Sequence, residues 1–255
     1  MNYKEIFDQR GLLYDQAHEV APSARSAEGA TMLKWLAPQP GEVIVVTAAG
    51  SGFDARLIEK ELRPDSARII CVEPSTVFSK LIPAQFELYN NPLNRIELPD
   101  ACADAVINLA ALHHFPDRQP IFKEWVRILK PGGRLIIADV EAGSSNGNFL
   151  NQTVDALTPG GHEGIFLKPG ELSEQFQSLR LHRIEESLEA YFWEFEDKAM
   201  MLEFTQLIFG MVNGNVDEVE AGLIAHMGIV TPGSELPFAY PWSLRFFRGF
   251  KPPDS

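Results

Sequence analysis

The stretch Ile44-Val-Val-Thr-Ala-Ala-Gly-Ser-Gly52 runs from a β-branched strand into a turn of small residues. A helix-like pattern follows at once, Asp54-Ala-Arg-Leu-Ile-Glu-Lys-Glu-Leu62. Gly50 and Gly52 lack a Cβ, so the turn admits unusual dihedrals and the close approach of a ligand. The helix start behind them offers free N–H groups to a polar or anionic ligand. Arg68-Ile-Ile-Cys-Val72 reads as a second buried strand, with Glu73 at its carboxyl end. An acidic side chain there accepts hydrogen bonds from both hydroxyls of a ribose. These segments predict half of a nucleoside-cofactor site. The turn does not choose the nucleoside: a dinucleotide fingerprint wants a third glycine, and Ala55 stands there, which the looser form of the pattern permits.

Downstream, Glu97-Leu-Pro-Asp-Ala-Cys-Ala-Asp-Ala-Val-Ile-Asn-Leu-Ala-Ala-Leu-His-His-Phe115 is followed by Glu124-Trp-Val-Arg-Ile-Leu-Lys-Pro-Gly-Gly-Arg-Leu-Ile-Ile-Ala-Asp139. Lys130-Pro-Gly-Gly133 is a helix stop that reverses the chain into a strand from Arg134 to Val140. Residues 10 to 140 closely resemble the class I S-adenosylmethionine-dependent methyltransferases, in particular the small-molecule group that includes the ubiquinone and menaquinone biosynthetic enzymes. The resemblance implies a doubly wound, mainly parallel seven-stranded α/β sheet of Rossmann-like type, with S-adenosylmethionine as cofactor and S-adenosylhomocysteine as product. It places Gly50 and Gly52 on the methionine part, with Thr47 and Ala48 beside them, and Glu73 with Pro74 at the ribose. Asn91, Pro92 and Leu93 fall at the adenine, Leu109 and Ala110 follow strand four, and Tyr14 resembles the family's amino-terminal tyrosine that closes over the cofactor.

One departure stands out. The family carries an acidic residue at the end of strand one, where this chain has Val46, and a glycine where it has Ala48. The alternative reading is therefore a non-methylating relative with a degenerate first motif: a cofactor-dependent cyclase or lyase, or a scaffold subunit.

The 255 residues are ample for one α/β domain with an appended cap. A net charge of −13 argues against nucleic acid, because phosphate binding needs a basic face. Cys71 and Cys102 form neither a disulfide framework nor a metal-ligand spacing, and no resident metal is expected. No apolar run approaches membrane-spanning length and the first residues lack a signal peptide's apolar region, so a soluble, cytoplasmic monomer or homodimer acting on a small molecule is expected.

Residues 1–40 read as amino-terminal helices, with a Ser cap ahead of the second, 41–140 as the cofactor-binding core, 141–230 as a helical lid and substrate region, and 231–255 as a terminal strand returning antiparallel. Within the lid, helices are expected over 146–158, 169–179 (with Pro169 at its start), 197–212 and 216–228, with a strand over 181–195. Methyl transfer from a sulfonium is an in-line displacement that needs positioning and a base only where the acceptor loses a proton. His162, in Gly160-Gly-His-Glu-Gly164, is the first candidate to act on the acceptor, through an imidazole titrating near neutrality. The bland reading of that loop is a helix stop with a solvated ring. His114 is the second candidate, and Glu163 a weaker one. The aromatic and sulfur side chains of the distal third are mostly core, and any that line a lid favour a fairly apolar acceptor.

Overall fold

The β-branched runs of the first half become the strands of a seven-stranded sheet. The computed structural model describes residues 2–162, 164–230 and 238–253. The strands are β1 (Val43–Thr47), β2 (Arg68–Val72), β3 (Glu87–Tyr89), β4 (Ala103–Leu109), β5 (Leu129–Asp139), β6 (His182–Phe195) and β7 (Phe238–Phe250). Their spatial order is β3-β2-β1-β4-β5-β7-β6. The first five are parallel, and β7 lies antiparallel between β5 and β6.

Period-two geometry sends alternate side chains to opposite faces. Ile44, Val46, Ile136 and Ala138 enter one core, while Val45, Leu135 and Ile137 enter the other. Both faces are covered, which is why these strands are apolar without interruption. One face carries α1 (Tyr3–Val20), α2 (Ser26–Leu36) and α3 (Phe53–Leu62); the other carries α5 (Gln119–Ile128) and α8 (Glu171–Ser178). The α4 helix (Thr76–Leu81) follows β2.

Past β5 the chain forms α6 (Ser145–Phe149), a π-turn over Leu150–Val154, and α7 (Asp155–Leu157). The α9 (Lys198–Phe209) and α10 (Val216–His226) helices complete the cap. The cap is therefore in two pieces, because β6 crosses between them as the edge strand of the sheet. Several boundaries differ from expectation, three of them in kind rather than by a residue or two. Arg25, not a serine, precedes α2 and no side chain caps that helix; α8 starts at Glu171 behind a left-handed Gly170 rather than at Pro169; and β5 begins at Leu129, so the Lys130-Pro-Gly-Gly133 turn lies inside its span. Residues 231–237 of the expected terminal segment, and Glu163, lie outside the described residues.

The amino-terminal helix is fastened by an acid. Asp8 Oδ1 accepts from the Ser75 hydroxyl (2.8 Å) and the Thr76 amide (2.7 Å), at the start of α4. Partial burial raises this carboxyl, but Lys4 and these donors outweigh it and hold it well below the usual range. The clamp sets α1 across the carboxyl ends of β1 and β2, where ligands of such sheets bind.

Candidate functional site

Glu73 leaves β2 fully buried and receives three donors. The Ser75 amide bonds Oε1 at 2.7 Å; the Gly50 amide (2.8 Å) and the Tyr3 hydroxyl (3.0 Å) bond Oε2. Burial pushes its carboxyl up to about 7, although all three donors favour the charged form. The carboxylate thus ties the glycine turn to the strand end and already accepts one hydroxyl. Gly50 and Gly52 both lie at positive φ, 56° and 88°. Gly52 caps α3, where a Cβ would come within 3.2 Å of the Pro83 ring.

Ala48 adopts the same left-handed region, φ 49°, where the resembling family carries glycine. That conformation costs an alanine roughly 1 kcal/mol, part of which a glycine gives back as unfolded-chain entropy. Ala48→Gly should therefore raise stability by up to about 1 kcal/mol, read as an increase in Tm; a lower Tm would show that the methyl group is needed for packing.

Most of the expected cofactor residues line two spaces that share no wall residue. Pro74, Asn91, Pro92 and Leu93 converge around a cavity of ≈ 360 Å³, closed by Tyr3 and Phe115. Asn91 Oδ1 accepts from the Glu97 amide (3.0 Å), which sets the side chain in that wall. Tyr14, Ala48, Gly50 and Leu109 border a small cavity of ≈ 30 Å³. Ala110 faces a third space beyond it. The Thr47 hydroxyl is spent within the sheet, donating to Ile107 O (3.0 Å), so Thr47 presents only its backbone at the strand end.

The small cavity holds groups that the sequence reading passed over. Asp54 reaches it from the first turn of α3, and Oδ1 is buried with no partner among the described residues, as is Ser51 Oγ. Burial pushes the Asp54 carboxyl up to about 6 against the pull of Arg25. Val46 packs in the core, and the acidic side chain that stands near the glycine turn is Asp54, beyond its other end. Arg25 crosses the cavity, donating Nη1 to the Tyr14 hydroxyl (2.7 Å) and Nε to Glu28 (2.8 Å), with Nη2 also on Glu28. Glu28 accepts in addition from Tyr191 Oη and Trp193 Nε1, both at 3.2 Å.

Beyond Ala110, a cavity of ≈ 70 Å³ has walls of Phe7, Leu150, Trp193, Ile208, Phe209 and Trp242. Arg10, His113, His114 and His162 form one polar part of its wall, and Arg25, Glu28 and Tyr14 form another. Arg10 Nη1 donates to Phe209 O (2.9 Å), and Nη2 is buried without a partner among the described residues. The histidines meet because the loop after α7 folds back on strand four: Ile165 N donates to His113 O (2.9 Å). His162 is buried, not solvated. Burial first, then His113 and Arg10, push its imidazole down to about 3, and burial lowers His114 well below its usual value as well. Neither ring titrates near neutrality, contrary to what the residue type alone suggests. The ring of His113 is held differently, with Nδ1 2.6 Å from Asp139 Oδ1 and its amide on Asp139 Oδ2 (3.0 Å). The sequence carried that pairing only as an aspartate at the end of strand five and one of two adjacent histidines.

Residues 46–137 match the family described as "Methyltransferase domain". The chain is similar to an arsenite methyltransferase of Halobacterium salinarum, 26% identical over 126 residues, which are 47% of this chain and 32% of that protein. It is similar to a ubiquinone/menaquinone biosynthesis C-methyltransferase of Caulobacter vibrioides, 35% identical over 117 residues, covering 40% and 45% of the two chains. The chain thus spans less than half the length of these curated relatives. A solved S-adenosylmethionine-dependent methyltransferase from Thermotoga maritima, described as a possible histamine N-methyltransferase, superposes with a TM-score of 0.65 at 17% identity over 97% of this chain and 99% of that one. Residues 46–137 thus match a methyltransferase-domain family, and the whole chain shares the seven-stranded fold of the solved S-adenosylmethionine-dependent methyltransferase.

Proposed function

We propose that this protein binds S-adenosylmethionine and transfers its methyl group to an oxygen, nitrogen or carbon of a small, fairly apolar metabolite. The observation that carries the reading is the Glu73 carboxylate, held at the end of β2 with a hydroxyl already on it and a cavity for a flat ring beside it. The residues suit the cofactor end to end. Glu73 takes the ribose, with the Tyr3 hydroxyl standing where a ribose hydroxyl goes. Pro74, Asn91, Pro92 and Leu93 take the adenine. Asp54 and Ser51, with free acceptor atoms, face the methionine ammonium, and Arg25 with Tyr14 lies by its carboxylate. When bound, the cofactor supplies an electrophilic methyl group; the protein orients it and excludes water.

The acceptor end combines aromatic walls with a polar cluster of Arg10 and the histidines, and Arg25 with Glu28 also borders it. That arrangement suits an apolar body carrying an ionisable oxygen or nitrogen, held by Arg10 and the imidazoles. His162 and His114 are uncharged at neutral pH and serve as hydrogen-bond acceptors for the group that receives the methyl. His162→Ala should lower turnover by about 10²-fold or more with cofactor affinity unchanged. Because its ring is pushed to about 3, activity should not fall through the ordinary imidazole range on His162's account.

The test is calorimetry with S-adenosylmethionine, S-adenosylhomocysteine and NAD, followed by mass spectrometry of cofactor products formed with lysate-supplied acceptors. Binding of both sulfur nucleosides and release of S-adenosylhomocysteine are expected. Binding of NAD alone, or release of methylthioadenosine, would overturn the proposal.

A further inference from the structure

His113, His114 and His162 each offer a ring nitrogen, and the three nitrogens lie within 4.8 Å of one another. Two of the rings belong to adjacent residues after β4, and the third returns from the loop behind α7. Their ring centroids are 4.1, 5.3 and 5.4 Å apart. We propose that these three histidines form a binding site for a divalent transition-metal ion of the zinc type, with the fourth position open to the acceptor cavity.

Four observations support it. The donor set is three imidazoles, the set that suits zinc and its neighbours. A tetrahedral ion with bonds of about 2.0–2.1 Å wants nitrogens about 3.4 Å apart, so closure from the 4.8 Å limit needs shifts on the order of 1 Å. Rotation of the three side chains about their own bonds can supply such shifts without moving the backbone. Second, Asp139 bonds His113 Nδ1 at 2.6 Å, which fixes the tautomer with the proton on Nδ1 and turns the Nε2 lone pair outward. A carboxylate behind a ligating histidine is the usual outer support of a metal site. Third, His162 Nδ1 is buried with no partner among the described residues, a cost that a metal bond removes. Fourth, the cluster borders two cavities: the apolar one of ≈ 70 Å³ and another of ≈ 360 Å³ edged by Asp155, Gly160 and Gly161. An ion there has a path in from one side and an acceptor on the other.

Neighbouring charge is mixed. Arg10 opposes a cation, while Asp139 and Asp155, whose Oδ1 takes the His162 amide at 2.5 Å, favour one. A dication on the three imidazoles, with its fourth position open and Arg10 nearby, takes over from the His162 and His114 lone pairs the holding of the acceptor and selects one whose polar end is an anionic oxygen. This role rests on the methyl-transfer reading above; the metal site itself does not.

The test uses the full chain, stripped with a chelator and titrated with Co²⁺ alone and with Zn²⁺ alone, no nucleoside being present. One ion per chain should bind, Co²⁺ should give the intense visible bands of a four-coordinate site, and three of the six histidine rings should shift in imidazole NMR. His114→Gln and His162→Gln should each weaken binding at least 10-fold, and Asp139→Asn about 10–100-fold. His182→Gln, at the far edge of the sheet, should change nothing. No binding at micromolar ion, or binding that survives the glutamine variants undiminished, overturns the site. The NMR result on the unaltered protein decides the matter if a variant fails to fold. Calorimetry with S-adenosylmethionine on the stripped protein separates the two ideas: loss of nucleoside binding sinks the methyl-transfer reading alone, and loss of ion binding with nucleoside retained sinks the metal site alone.

Discussion

Glu28→Ala is expected to remove about 3–5 kcal/mol of folding stability, the usual cost of leaving a buried charge without its partner. Glu28 is fully buried and accepts from Arg25, Tyr191 and Trp193, so one carboxylate joins α2 to β6. Truncation strands four donor groups, and the Arg25 guanidinium stays in place over the rings of Phe53 (4.8 Å) and Trp193 (5.6 Å). For a chain of this size each kcal/mol moves Tm by about 2–4 °C, so a drop of roughly 6–20 °C follows. Glu28→Gln should fall between, since it keeps the shape and the acceptor for Trp193 but not the charge. The exposed pair Glu185–Arg248 is the control: Glu185→Ala should cost less than about 1 kcal/mol. A Glu28→Ala protein melting within 2 °C of the parent would mean that Arg25 finds water or another acceptor. Because Arg25 also edges the small cavity that the proposed function gives to the methionine part, the same variant should weaken cofactor binding.

The contrast between Glu28 and Glu73 shows where the sequence was readable. Strands β1, β2, β4 and β5 could be located from β-branched runs, and the glycine turn from its lack of side chains, because both signals are local. Glu73, Pro74, Asn91 and Pro92 follow from those strands, since a parallel sheet fixes which ends face the ligand. Glu28 sits in, and Arg25 just ahead of, a helix that looks merely amphipathic; their meaning depends on β6, which lies more than 150 residues later. Asp54 was hidden for a different reason. It opens α3, and an acid in the first turn of a helix usually needs no further explanation. Nor could spacing bring His162 to His113 and His114. That meeting requires the α7 loop to return to strand four, and the Gly160-Gly161 pair announces only that the chain bends there.

Cofactor affinity should rise with pH between about 5 and 7 and level off above. In the proposed site Glu73 takes the ribose as its anion, yet burial holds its carboxyl up at about 7 in the free protein, so below that value nucleoside binding must first expel a proton. One linked proton changes affinity by up to tenfold per pH unit, giving a loss of tens of fold from pH 7 to pH 5. Folding stability moves the other way. A carboxyl whose pKa is raised on folding contributes stability that is fully present below its unfolded value, near 4.5, and lost as pH rises through about 7. The free protein should therefore lose Tm over the interval in which the cofactor gains its hold, and the ligand-induced increase in Tm should grow steeply. Glu73→Gln removes both slopes and weakens binding at pH 8 by roughly 10–100-fold, since hydrogen bonds to a charged acceptor are worth about 1.5–3 kcal/mol. Tyr3→Phe acts in the opposite sense: with its hydroxyl gone from Glu73, the ribose meets no competitor and affinity should improve several-fold. If the pH slope persists in Glu73→Gln, the titrating group is Asp54, held at about 6 in the small cavity beside Gly50 and Ser51, and Asp54→Asn should then abolish it.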